Sequence, residues 1–243
     1  MPRSFILHTS SFILLISAFL ANAEVKLHPL FTDHMVLQRD TVAPVWGTAA
    51  PGEKVTVEFG GQTLKATAGA DGKWMVEFKG LRASSDPRSL TVKAANTVTV
   101  NDVVVGDVFL AGGQSNMDSP LSSGAAAEAL PTANDPLLRF FTVKKNVAAE
   151  PLTSVEGQWL PTTPENAKGF PAVAYFFAKD VRENQKVPVG VIRSAWGGTP
   201  IKTWMSLDSL RKDPLVAATV TTPLPNTKPS RTNPRSWTPT TRT

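Results

Sequence analysis

Cysteine is absent from the 243 residues. That excludes disulfide bonds, thiolate metal sites and a cysteine nucleophile together, so stability has to come from a packed core. Histidine is scarce: His8, His28 and His34 are the three in the chain. No His/Asp/Glu cluster has the spacing of a metal site. The Gly112-Gly113 pair lacks the following Gly-Lys-Ser/Thr of a phosphate loop, so neither a metal nor a cofactor is expected. Long apolar runs are equally few. Beyond the N-terminus nothing approaches the roughly 20 residues a membrane span needs.

The exception is at the start. Arg3 supplies a positive region, Phe12 to Leu20 an apolar core, and Ala21-Asn22-Ala23 a small-x-small cleavage site. Residues 1–23 read as a secretory signal peptide cleaved after Ala23. The protein is expected to be exported, to the periplasm or the exterior, with no membrane association after cleavage.

The formal charge of +5 suggests a basic protein, but its distribution says otherwise. Lys228, Arg231, Arg235 and Arg242 lie in a tail that holds no acid, and Arg3 lies in the signal segment. Residues 24–213 carry 20 basic and 20 acidic groups. A nucleic-acid binder would gather its basic residues on a folded face, and no such partner is expected.

What is present divides in two. Residues 24–105 read as an all-β, sandwich-like domain. Val55–Phe59 alternates, Gly60-Gly61 turns into Gln62–Thr67, and Asp71-Gly72 is a hairpin signal before Lys73–Phe78. Leu90–Lys93 and Val98–Val100 follow, while Pro44, Pro51 and Pro87 suit edges and turns. From about 106 the rhythm changes. Val103–Ala111 reads as a strand buried on both faces of a parallel sheet, and Leu137–Val143 as another. Pro171 opens a helix with Val173, Phe176, Phe177 and Val181 on one stripe, and Val187–Arg193 is the next strand. Helix followed by apolar strand is the mark of a three-layer α/β fold. Residues 214–243 read as a disordered Pro/Thr-rich tail, because too little apolar surface is present to offset the entropy of ordering.

The chemistry centres on Val108 to Met117. An apolar run stops at Gly112-Gly113, and Ser115 follows between the amides Gln114 and Asn116. Glycine lets a strand turn sharply, and a serine at that turn projects its hydroxyl into a cleft. On spacing alone the same residues also make an ordinary turn. Gly113-Gln114-Ser115-Asn116-Met117 resembles the nucleophile block of the sialate O-acetylesterase family, a branch of the SGNH hydrolases. Val189–Ser206, with Trp196-Gly197-Gly198-Thr199, resembles its second block, and Leu30–Arg39 resembles the opening of its β domain. The resemblance runs from about residue 25 to about 213.

That resemblance implies an α/β protein: a β-sandwich-like domain, then an incomplete three-layer SGNH-hydrolase domain over 106–213. It implies a cofactor-free serine ester hydrolase removing O-acetyl groups from sialic acid or other acetylated glycans. Ser115 would be the nucleophile and Gly198 (or Gly197) an oxyanion donor beside the Ser115 N–H. Gln114, Asn116, Gly197 and Trp196 would contact substrate. Trp196 and Trp204 flank the second glycine turn and suit either a sugar face or the core.

One part is missing. A serine esterase needs a base for its nucleophile, and the family's Gly-Glu-Ser-Asn-like and Asp-x-x-His blocks lie after the region corresponding to 213. His28 and His34 sit far upstream of Ser115, and His34 reads as structural. Asp107 and Asp118 are weak bases unless their pKa is raised; Asp118 reads as a helix cap or a solvated acid. The expectation is a C-terminally truncated, impaired esterase. Its rivals are a secreted carbohydrate-binding remnant without turnover and an unstable fragment.

Overall fold

The computed structural model describes residues 24–148 and 150–220. The signal segment and the 221–243 part of the tail lie outside the described residues. Two compact units meet in sequence at Gly197/Gly198.

Alternation builds the first strands: β1 Lys26–Leu27, β2 Val36–Gln38, β3 Ala43–Thr48, β4 Lys54–Phe59, β5 Gln62–Thr67, β6 Lys73–Phe78 and β7 Ser84–Lys93. In β4 and β6, Val55, Val57, Phe59, Trp74, Val76 and Phe78 point inward and are buried. Gly60 and Gly61 join β4 to β5 with φ of 58° and 79°. A two-residue hairpin needs positive φ at both positions, which glycine supplies without strain. Pro87 falls inside β7, where the register with β8 shifts between Ser84 and Arg88. A bulge is one of the few places a strand accepts proline. β3, β6 and β1 form a three-stranded sheet. Its apolar side chains share one core with Val57 and Phe59 of β4, Leu90 and Val92 of β7, and Met35.

The larger sheet turns on β8, Thr97–Gly113. Two strands expected from the sequence, Val98–Val100 and Val103–Ala111, are one strand of 17 residues. It bends at Asp102, whose φ is 52°. Up to Val105 β8 runs antiparallel to β7; from Asp107 onward it runs parallel to β11, Val189–Ala195. β9 (Asp135–Thr142) runs parallel to β11 on its other side, and β10 (Trp159–Thr162) closes that edge antiparallel to β9. The order is β10-β9-β11-β8-β7-β4-β5, with β2 added in parallel at Val104–Gly106. This sheet crosses residue 105 without a break. The fold is a mixed, sheet-rich α/β structure with few helices.

Arg139 of β9 pins the bend. Its guanidinium is 2 % exposed and donates to Asp102 Oδ1 at 2.9 Å and to the Asp102 and His34 carbonyls at 2.5 and 3.0 Å. His34 Nδ1 shares a hydrogen bond with Asp102 Oδ2 at 2.6 Å. Burial works against the Asp102 charge, but the hydrogen bonds from His34 and Arg139, with the Arg139 charge, outweigh it and hold the carboxyl below its usual range.

Two expectations need correction here. Val103, Val104 and Val105 of β8 are fully buried, but Leu110 is 74 % exposed. The single long helix of this unit, α2 (Ala172–Gln185), lies on the side of Phe109, whose ring meets Phe177 edge-on at 5.1 Å. Neighbouring strand residues face opposite ways, so Leu110 lies on the open side. A second helical layer is not formed by the described residues of this unit. The α2 stripe is also different. Ala174, Tyr175 and Ala178 are buried, while Val173, Phe176 and Phe177 are about half exposed. Apolar residues surround the helix, and the small alanines let it approach the sheet closely.

The second unit is short. After a turn at Ile201–Trp204, α3 (Leu207–Lys212) is capped by Ser206 Oγ, which accepts the Ser209 N–H at 3.2 Å. α4 follows at Pro214–Val220. The expected disordered tail is therefore helical over its first seven residues. Asp213 Oδ1 accepts the Leu215 N–H at 2.9 Å, and proline fits the first helical position because the N–H it lacks has no intrahelical partner there.

Candidate active site

Parallel pairing brings the two glycine blocks side by side. Ala195 lies opposite Gly113 at the carboxyl ends of β11 and β8, and the Trp196 N–H donates to the Gly113 carbonyl at 3.1 Å. The carboxyl ends of parallel strands are where open α/β sheets bind ligands. Gly113 has φ 146°, and a Cβ there would stand 3.2 Å from Met117 Cβ. The sharp exit from β8 therefore depends on glycine.

Ser115 opens the one-turn helix α1, Ser115–Asp118, with Gln114 as its cap. Gln114, Ser115 and Asn116 are exposed. Met117 anchors the turn against the second core, around Leu121, Phe140, Phe170 and Tyr175. The Ser115 N–H donates to Gln114 Oε1 at 2.9 Å. A carbonyl-type oxygen thus already occupies the position an oxyanion would take on that donor.

Gly197 lies against the Ser115 turn. A Cβ on it would stand 3.5 Å from Ser115 Cα and 3.3 Å from Asp118 Oδ2. Its N–H donates to Asp118 Oδ2 at 2.8 Å, so this donor is already engaged. Gly198 opens the second unit with φ 80°. Trp196 is half-buried, with Lys145 Nζ 5.8 Å from its ring centroid. Trp204, in the second unit, is 43 % exposed and donates from Nε1 to Thr199 Oγ1 at 2.8 Å.

Asp118 is the residue sequence reasoning undervalued. Its carboxylate gathers the Gly197 N–H, Lys145 Nζ at 2.6 Å and Arg193 Nη2. Helix α1, the loop after β9 and the end of β11 are joined at this one side chain. Burial disfavours the charge. The hydrogen bonds from Lys145 and Gly197 and the charges of Arg193 and Lys145 prevail, and the carboxyl titrates below its usual range. That direction is wrong for a general base. Nothing in the local sequence announces this hub, because its partners lie 27, 75 and 79 residues away.

The other candidate bases are elsewhere. Asp107 is held by Arg39 at 2.9 and 3.0 Å. His34 pairs with Asp102, and Gly113 lies 11 positions further along β8. At about 3.3 Å per residue that is roughly 35 Å of strand. His28 is packed between Phe31 and Trp46, and burial lowers its pKa. No three His, Asp or Glu side chains gather as a metal group among the described residues.

An exposed serine at the carboxyl edge of parallel strands, backed by a glycine turn from the neighbouring strand, makes Ser115 the candidate nucleophile of an α/β fold. Residues 105–221 match the family described as "Carbohydrate esterase, sialic acid-specific acetylesterase". The sialate O-acetylesterase of Homo sapiens is 34 % identical over 198 residues, covering 73 % of this chain and 38 % of that protein. That of Rattus norvegicus is 32 % identical over 200 residues, 74 % and 37 % of the two chains. A solved carbohydrate acetylesterase from Xanthomonas citri superposes with a TM-score of 0.75 at 40 % identity, covering 78 % of this chain and 44 % of the other. The chain belongs to the sialate O-acetylesterase family. It spans under two fifths of the length of the curated relatives it matches.

Proposed function

We propose that this chain carries the nucleophile side of a carbohydrate O-acetylesterase, acting on an acetylated sialic acid or another acetylated glycan. The observation that carries the reading is the seating of Ser115: exposed, held by Gly113 and Met117, with Gly197 laid against it. In the reaction Ser115 Oγ bonds to the acetyl carbonyl carbon as its proton passes to a base. The carbonyl oxygen becomes the oxyanion, received by the Ser115 N–H once Gln114 Oε1 moves aside. The bond from carbon to the sugar oxygen then breaks, and the sugar leaves as its alcohol. Water attacks the acyl-serine and releases acetate. One oxyanion donor is worth about 3 kcal/mol of barrier.

No histidine among the described residues stands at Ser115, so turnover by this chain is impaired, since loss of the base removes several powers of ten. That same observation favours the second reading, a non-catalytic carbohydrate-binding remnant. Residues 24–105 serve in both as a β-sandwich-like module, and 1–23 as an export signal. No helix among the described residues is long and apolar enough to cross a membrane. The test is hydrolysis of p-nitrophenyl acetate and of 9-O-acetylated sialic acid by the full chain and by Ser115→Ala. Turnover abolished by the substitution supports the esterase; turnover unchanged by it refutes Ser115 as nucleophile. None in either protein leaves the remnant reading standing.

A further inference from the structure

The sheet has a polar cavity at the end away from Ser115. Val189 of β11 lies opposite both Leu138 of β9 and Asp107 of β8. Leu138 lines this cavity, and Gly113 is six residues further along β8, roughly 20 Å away. The cavity measures about 420 Å³, within the range of small-molecule sites, about 300–1,000 Å³.

Its lining is built rather than incidental. Tyr175, Lys179, Arg182 and Glu183 of α2 face Asn134 and Asp135 at the start of β9. Arg182 Nε is buried without a hydrogen-bond partner among the described residues, where a buried donor is normally satisfied. Tyr175, only 2 % exposed, lines the same cavity with its ring. Burial, with the Glu183 and Asp135 charges, raises its pKa, so it stays a proton donor at neutral pH. The four charges cancel in pairs: Arg182 Nε lies 3.2 Å from Asp135 Oδ2, and Lys179 Nζ 3.8 Å from Glu183 Oε1. A net-neutral wall offering both donors and acceptors suits a ligand that is itself uncharged and carries both. Two carboxylates at the wall disfavour an anion.

We infer that this cavity is a second binding site, for a neutral, hydroxyl-rich ligand of sugar-ring size, with the Tyr175 hydroxyl donating to one ligand oxygen. The inference is independent of catalysis at Ser115.

The experiment is saturation-transfer NMR on the full chain with glucose, galactose and N-acetylglucosamine as probes, and N-acetylneuraminate as the anionic comparison. Saturable transfer to at least one neutral sugar is expected. Tyr175→Phe, which keeps the packed ring, should weaken it roughly tenfold, the worth of one hydrogen bond. The exposed Glu183→Ala should weaken it too, while Ser115→Ala should leave it unchanged. Absence of transfer from every neutral sugar would overturn the site. So would transfer indifferent to both Tyr175→Phe and Glu183→Ala, or tighter Tyr175-dependent binding of N-acetylneuraminate.

Discussion

Asp118→Ala is the substitution that examines the candidate active site most directly. It removes the acceptor for the Gly197 N–H and the anion facing Arg193, whose side chain is only 14 % exposed. The Arg193 Nε is already buried without a hydrogen bond, so the guanidinium has little to fall back on. Lys145 is 40 % exposed and can turn to water; its loss counts for little. Stranding a buried cation costs about 3–5 kcal/mol. Partial access of water to Arg193 places this case at the lower end, about 3 kcal/mol. For a chain of this size about 1 kcal/mol moves Tm by 2–4 °C, so a fall of about 6–12 °C is expected by thermal unfolding. Two controls sharpen the result. Asp118→Ala/Arg193→Met should recover most of the loss, because removing both charges leaves none stranded. Acid should erase the difference. The folded Asp118 carboxyl titrates below its unfolded value of about 3.9, so its contribution is present above that pH and is lost as pH falls through the depressed folded pKa. A Tm change under about 2 °C for Asp118→Ala at pH 7 would refute the hub.

Three further outcomes follow from the packing. Gly106→Ala would drive a Cβ into the Pro188 carbonyl, which accepts the Asp107 N–H at 2.9 Å. Backbone cannot rotate away, so a loss of about 3 kcal/mol or failure to fold is expected in urea titration. Asp102→Ala strands the buried Arg139 and should cost about 3 kcal/mol. His34→Ala, at a side chain 44 % exposed, should cost under about 1 kcal/mol. Equal losses for the two would show that Arg139 does not depend on Asp102. Phe140→Ala empties a site stacked on Phe170 at 4.2 Å and should cost about 3–5 kcal/mol, read from the urea midpoint.

Much of the backbone around the candidate site was legible in the chain because the signals are local. Turn glycines at 60–61 and 112–113 and the alternation in β4 and β6 act over a few residues. Ser115 at a strand end and the second glycine block are written in short motifs. The face of α2 was not legible: Ala172 to Ala178 is apolar all round, and periodicity cannot choose between stripes when both are hydrophobic. The union of two expected strands into β8 was hidden as well, because Asp102 looks like a break until Arg139 and His34 are seen to hold it.

The sequence by itself determined where the chain extends, where it turns, and which hydroxyl stands at a strand end, since each depends on near neighbours. It took the folded chain to show that Gly197 lies against Ser115, that Asp118 joins three distant segments, and that Asp102 and its partner His34 stand some 35 Å of strand from the Ser115 turn. Those are consequences of pairing β8 with β11 in parallel, and long-range register leaves no mark on neighbouring residues.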